Sequence, residues 1–259
     1  MLHWSEPYVV MSPTEDAADL DETYYGLCQF AAGNLRLGLM TTFHYVRNTQ
    51  RVLLVYSRDG KNWRQLNGGQ PFLEASGEGA WDSCSIMATS KPIVVGDELY
   101  IYHGGASCHH DWWITGKEEG LKVPEATDLD RARFGLGLAK LRLDGFASLG
   151  AGRERRGIFI TRPLISDGTR LIVNALCRNE GSIAAEIVDV DDNVIPGFGR
   201  EECDLFSGDS VRHTFSWNGQ MEIPVAATER AMYPEPERER FRKIRFFMAN
   251  AELYSFAVE

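Results

Sequence analysis

The run Ser57-Arg58-Asp59-Gly60-Lys61-Asn62-Trp63 decides how this chain reads. An Asp side chain in such a run accepts hydrogen bonds from the amides of its own turn, Gly supplies a positive φ, and Trp packs the turn against a sheet. The residues before it, 50–56 (QRVLLVY), are β-branched and aromatic and predict a strand. The phrase therefore closes a β unit, and its work is structural. Two partial copies flank it. Leu2-His3-Trp4-Ser5-Glu6-Pro7 is similar to the end of the phrase, with Trp4 standing 59 residues before Trp63. Leu143-Asp144-Gly145-Phe146 is a weaker copy, with Phe146 standing 83 residues after Trp63; the stretch 106–132 accounts for the excess. A second series, Tyr24-Tyr25-Gly26-Leu27 and Trp81-Asp82-Ser83, opens units 57 residues apart between Tyr24 and Trp81. Units of about four short strands recurring at this scale are the pattern of propeller blades.

Working outward, residues 92–102 (PIVVGDELYIY) form two apolar runs around Gly96-Asp97 and predict a hairpin. Strands are also predicted over 35–43, 82–89 and 134–143, and in the second half over 171–176, 183–190, 211–217, 244–248 and 253–258. Turn signals at Asp167-Gly168, Asn179-Glu180-Gly181, Asp191-Asp192-Asn193 and Asn218-Gly219 space the later strands as in an antiparallel sandwich. No stretch before residue 226 has a helical period, and 128–133 reads as a loop. Residues 229–243 read as a charged surface segment with room for one short helix after Pro236.

The expected fold is all-β. Residues 1–150 form a partial β-propeller, the end of one blade plus complete blades over 20–66 and 81–149, and residues 151–259 form a β-sandwich. So few blades cannot close a ring. Either the chain is the C-terminal part of a longer protein, which is the preferred expectation, or another chain completes the ring. The face near residues 1–30 is then expected to be apolar and to associate, giving a homo-oligomer where upstream blades are missing.

The 259 residues carry a net charge of −10 and a pI near 5.2, with 44% hydrophobic and 25% charged residues. That mix buries a sizeable core and excludes disorder. An acidic chain without a basic stripe is not expected to bind nucleic acid. No apolar run approaches the roughly 18–20 residues of a membrane span, so no membrane partner is expected. The opening residues lack a basic region leading into an apolar core, so no secretion signal is expected there. The five cysteines are odd in number, without C-x-x-C spacing, and read as buried free thiols. Cys108-His109-His110-Asp111 contains metal-ligand types, but adjacent residues on a strand cannot all face one ion. No metal and no cofactor is expected.

Ser57 to Trp63, Pro71-Phe72-Leu73, Gly79-Ala80-Trp81-Asp82-Ser83, the stretch from Val95 to Gly105 and Gly135-Leu136-Gly137-Leu138-Ala139 together resemble the later blades of five-bladed propeller glycosidases, relatives of glycoside hydrolase families 32 and 43. Leu143 to Phe146 and Gly208-Asp209-Ser210-Val211-Arg212-His213 resemble their trailing sandwich. The resemblance implies a central pocket lined by the innermost strand of each blade. Carboxylates there would flank a glycosidic bond. It also implies that the main catalytic carboxylates belong to early blades, which this chain lacks.

Candidate residues follow from strand position. Asp82, opening the strand 82–89, is the catalytic candidate; at a strand mouth it would meet solvent and share a face with Cys84 and Ile86. Trp81 is a candidate for stacking on a sugar. His103 ends a strand before Gly104-Gly105, and His109 and His110 lie in the long stretch that also holds Trp112 and Trp113. Tyr25 and His44 belong to the first complete unit. These six, Trp81, His103, His109, His110, Tyr25 and His44, are the substrate-binding candidates, and Asp82, His103 and His109 are expected to converge. Glu78 is the nearest second carboxylate in sequence. A glycoside-hydrolase-like protein that acts on or recognises a carbohydrate is the leading expectation. The alternative is a non-catalytic carbohydrate-binding or assembly module. A serine hydrolase is disfavoured, since no G-x-S-x-G occurs.

Overall fold

Alternating β-branched and aromatic residues become strands here, and Gly and Asn turns join them. The computed structural model describes residues 3–13, 21–224 and 242–259; the helix expected after Pro236 lies outside the described residues. The described chain is nearly all β, with several antiparallel sheets and few helices. It divides into two units, Met1–Leu141 and Arg142–Glu259.

In the first unit, β1 (Glu22–Ala32), β2 (Leu35–His44), β3 (Thr49–Ser57) and β4 (Trp63–Gln65) follow one another across a sheet, and β5 (Pro71–Leu73) also pairs with β3. β2 and β3 are buried along most of their length, as their apolar runs dictate. Trp63 closes a core of Met40, Leu53 and Val55. The turn before it is built as its residues require. Asp59 accepts the amides of Lys61 and Asn62 at 2.8 Å, the Asn62 side chain at 2.6 Å and the Ser57 hydroxyl at 3.0 Å. Gly60 takes φ 75°, and the Trp63 indole donates to the Gly60 carbonyl at 3.1 Å. The Asn62 backbone bond, then the Asn62 side chain and the Lys61 amide, drives the Asp59 carboxyl far below the usual range. Trp4 packs no such turn. Residues 3–9 form no strand beneath it, and its ring is 88% exposed.

The second sheet of this unit holds β6 (Ser85–Met87), β7 (Ile93–Val95), β8 (Glu98–Ala106) and β9 (Phe134–Arg142), with β6, β7 and β9 all pairing β8. Gly96-Asp97 forms the expected hairpin turn, Val95 pairing Glu98. The strand expected over 82–89 is shorter. Residues 81–84 are turn and bend, because the ladder begins only where the Cys84 amide reaches the Ala106 carbonyl at 3.0 Å. Between β8 and β9 the chain forms α1 (Trp112–Thr115), α2 (Pro124–Thr127) and a 3-10 turn (Leu129–Arg131) where loop was expected. Helices of one turn are too short to show a period.

In the second unit a single sheet runs β10 (Leu149–Ala151), β14 (Lys243–Val258), β12 (Leu171–Val188), β13 (Asp209–Thr214), with β11 (Gly157–Ile160) also on β14. The four shorter strands expected over 171–190 and 244–258 are instead two long ones. Cys177 faces Ala251 and Ser182 faces Ala249, so residues 178–181 oppose Asn250 alone. Asn250 takes φ 46° and its side chain donates to the carbonyls of Arg178 at 2.6 Å and Asn179 at 3.1 Å. The turn signal at Asn179-Glu180-Gly181 thus makes a bulge inside a continuing strand. Asn218-Gly219, in contrast, does turn the chain, joining the bridge between Trp217 and Gln220. Phe215, Trp217, Phe246, Ile183 and Ile187 fill the core, and the Trp217 indole donates to the Ala185 carbonyl at 3.0 Å. Three of the five cysteines are buried; Cys28 and Cys84 are half-buried, and all five are free. No described helix is long and apolar enough to cross a membrane.

Candidate functional site

Period-two alternation places His103 and Gly105 on one face of β8, and Gly135 and Gly137 on one face of β9. The missing side chains leave a bed of backbone, and Trp81 lies on it. A Cβ at Gly105 would stand 2.8 Å from the Trp81 ring and 2.6 Å from the Asp82 Cβ. One at Gly135 would stand 2.9 Å from that ring. One at Gly137 would meet Trp81 at 3.0 Å and the His103 ring at 2.5 Å. Trp81 and His103 are stacked, with centroids 5.9 Å apart and an interplanar angle of 21°. Trp81 keeps 37% of its surface exposed, while Asp82 and His103 keep 5% and 8%. Asp82 therefore does not sit at a solvated strand mouth; it precedes the strand in a turn and is enclosed. Asp82 Oδ1 and His103 Nδ1 have no hydrogen-bond partner among the described residues. An enclosed polar atom without a partner destabilises by about 1–3 kcal/mol. A hydroxyl-bearing ligand could donate to the first and complete the second.

A second group forms around β1. Tyr25 is the extra residue of a bulge, between the pairs Tyr24 with Thr42 and Gly26 with Thr41. Its hydroxyl lies 3.0 Å from His110 Nε2. The His110 ring packs on Phe43 at 4.6 Å, and Phe43 also meets Tyr25 at 6.2 Å and Tyr45 at 5.1 Å. Gln50 pairs with Phe43 across the ladder and is buried; its amide nitrogen and His110 Nδ1 lack partners among the described residues. Asn48 carries the stretch after β8: its carbonyl accepts the His110 amide at 2.9 Å, its Oδ1 accepts the Asp111 amide at 2.9 Å, and its Nδ2 donates to the Asp111 carboxylate. Two residues on, the Gln50 amide donates to the Cys84 carbonyl at 3.1 Å. The corner 48–50 thus holds both the Trp81-Asp82 turn and the segment that presents His110.

His109 goes elsewhere. Its amide donates to Glu125 Oε1 at 3.1 Å, its Nδ1 bonds the same oxygen, and its ring packs on Trp112 at 4.2 Å. Burial raises the Glu125 carboxyl, but the bonds from His109 outweigh it and the net shift is downward. Burial, with the Glu125 charge adding to it, raises the Cys108 thiol to about 11, so it is a neutral packing group. His109 anchors the α1–α2 segment and is not brought to Asp82 and His103. His44 closes β2, buried, 3.7 Å from Glu22 Oε1 and 3.9 Å from Asp21 Oδ2. Arg51 grips both oxygens of Glu22 at 3.1 and 3.2 Å. Glu78 is exposed. Sequence reasoning missed Glu22, Gln50 and Glu125, whose partners lie far away in the chain and leave no spacing signal. No group of three His, Cys, Asp or Glu able to hold a metal occurs among the described residues.

No family model and no curated protein matches the chain. Among solved structures it is similar to a complex of BT0996 with RGII, at 13% identity and TM-score 0.34, over 51% of this chain and 35% of that one. It is similar to an N-acetylgalactosamine deacetylase from F. plautii in complex with blood group B trisaccharide, at 15% identity and TM-score 0.34, over 48% of this chain and 34% of that one. A glycoside hydrolase family 43 arabinoxylan arabinofuranohydrolase from Bacillus subtilis, in complex with cellotetraose, aligns at 7% identity and TM-score 0.25, over 89% of this chain and 53% of that one. The neighbours include carbohydrate-active enzymes, but likeness at this level fixes neither fold nor function. The chain spans about a third to a half of their length.

Proposed function

We propose that the chain is a glycoside-hydrolase-like protein that recognises a carbohydrate at Trp81, Asp82 and His103, with its first unit built as propeller-type blades and its second as a trailing sandwich. One observation carries the reading: a half-exposed indole on a glycine bed, flanked by an enclosed carboxylate and imidazole that each keep an unpartnered atom. The apolar face of a sugar stacks on such a ring, and its hydroxyls suit such partners. Recognition is favoured over hydrolysis by this chain alone. Hydrolysis uses two carboxyl groups flanking one bond, and the buried candidates for a second, Glu22 and Glu125, are engaged by Arg51 and His109. That observation supports the binding-module reading.

Titration calorimetry against neutral oligosaccharides tests the proposal. Trp81→Ala and Asp82→Asn should each abolish binding while the variants stay folded by circular dichroism. Undiminished binding by both would overturn it. Release of reducing sugar by the wild-type chain, lost in Asp82→Asn, would return the reading to an enzyme.

A further inference from the structure

We propose that Tyr25, Tyr45 and His110 form a second subsite beside the Trp81 platform, so that the site takes an oligosaccharide and not a single sugar; the inference rests on the carbohydrate reading above. Tyr25 and Tyr45 are 54% and 63% exposed, although both are aromatic and both pack edge-on against Phe43. Exposed aromatic faces braced from behind are what sugar rings stack on. At the base of the group lie two donors or acceptors without partners among the described residues, the Gln50 amide nitrogen and His110 Nδ1. Gln50 is 3% exposed and stands directly across from Phe43, so its side chain leaves the sheet on the same face. This is the arrangement of the first group repeated: a half-exposed ring with an enclosed polar atom beneath it. The two groups are joined through backbone. Gln50 bonds Cys84, and Asp82 is only two residues upstream, a reach of at most about 7 Å along the chain. Asn48 fixes His110 from the same corner. A ligand lying on Trp81 and extending toward β1 meets Tyr25 and Tyr45 next.

Tyr25 also has a device for being in place. It is the bulge residue of β1, so its side chain is released from the strict alternation of the strand and its hydroxyl can meet His110. The segment after β8 thereby sets the orientation of an aromatic ring on another sheet.

The test is calorimetric titration of the full chain with neutral pentoses and hexoses and their di- and trisaccharides. In the wild type, affinity should rise about tenfold from the best monosaccharide to its trisaccharide. Tyr45→Ala, which removes an exposed ring, and Tyr25→Phe, which keeps the ring and loses the bond to His110, should each remove most of that gain. Both should leave the monosaccharide affinity within about twofold. Trp81→Ala should lose the monosaccharide as well. A length-dependent gain that survives in both folded variants overturns the second subsite, as does a wild type that binds monosaccharide and gains nothing with length. A wild type that binds no sugar of any length overturns the carbohydrate reading itself.

Discussion

In the second unit Asn174 is enclosed, and its amide accepts from Arg142 at 2.5 Å and donates to the Leu143 carbonyl at 2.5 Å. In the first unit Asp82 and Gln50 are enclosed just as deeply, and each keeps an atom with no partner among the described residues. Two more enclosed groups of the second unit are met as Asn174 is: Thr161 accepts the Ile244 amide at 3.0 Å, and Lys243 donates to the Val190 carbonyl at 3.0 Å. Around them lies a continuous apolar core with aromatic rings at its centre. The first unit has a small core under Trp63 and, beyond it, a region between residues 42 and 110 where polar atoms are buried without satisfaction. Burial in one unit serves stability. In the other it leaves unmet hydrogen-bonding capacity, and that is what a binding site consists of before its ligand arrives.

Substitutions can break this contrast. The largest effect should come from Trp217→Ala, which removes an enclosed ring and its bond to Ala185; about 3–5 kcal/mol of stability should go. Thermal melting measures it, and binding per folded molecule should be unaltered. Gly137→Ala comes next. Its methyl group meets His103 and Trp81, an overpacking of about 1–3 kcal/mol. Unlike Trp217→Ala, it should lose ligand affinity at temperatures where the chain is still folded.

Acid should act on the first unit through Glu125. Its folded pKa lies below its ordinary value, so the stabilisation is present above the unfolded pKa and disappears as pH falls through the lowered folded one. Hydrogen exchange at residues 108–113 should accelerate in acid, and Glu125→Gln should make that exchange fast and insensitive to pH across the same window. Exchange that stays slow in acid would remove Glu125 as the anchor. The smallest pair is the sharpest. Asp59→Ala loses a fully bonded turn and should lower the melting temperature without touching binding. Asp82→Ala removes an oxygen that has no partner among the described residues, and should abolish binding while leaving melting unchanged or raising it. If the two melt alike, the contrast between a structural and a binding carboxylate fails.

What the sequence disclosed follows the same division. The turn at 57–63 was legible because all its bonds run between residues a few places apart. Gly96-Asp97 and Asn218-Gly219 were legible for the same reason. Asn179-Glu180-Gly181 misled, since a hairpin and a bulge use the same residues and only the partner strand distinguishes them. Trp81, Asp82 and His103 were named from their positions, and the structure does bring them together. What could not be read was that Asp82 is enclosed, because the enclosure comes from glycines on β8 and β9 and not from its neighbours. Nor could His109 be told from His110. They are adjacent, yet one turns to Glu125 and the other to Tyr25, according to partners 16 and 85 residues away.

The bulge shared by β12 and β14 reaches further than its local geometry. Two strands paired over this length, with apolar residues at alternate positions, can slide by two residues and keep every side chain on its proper face. Such a slip is a trap for a folding chain, since it forfeits little burial. Here sliding is blocked at one point. Asn250 must stand opposite residues 178–181 to bond their carbonyls, and Gly181 presses so close that a methyl group there would lie 2.6 Å from the Arg178 oxygen and 2.9 Å from the Ala249 oxygen. Any other registry sets a side chain into that space and strands the left-handed Asn250 among ordinary strand residues. The irregularity therefore acts as an index mark: it leaves the refolding chain one alignment to find, and it fixes the whole length of both strands from a single place.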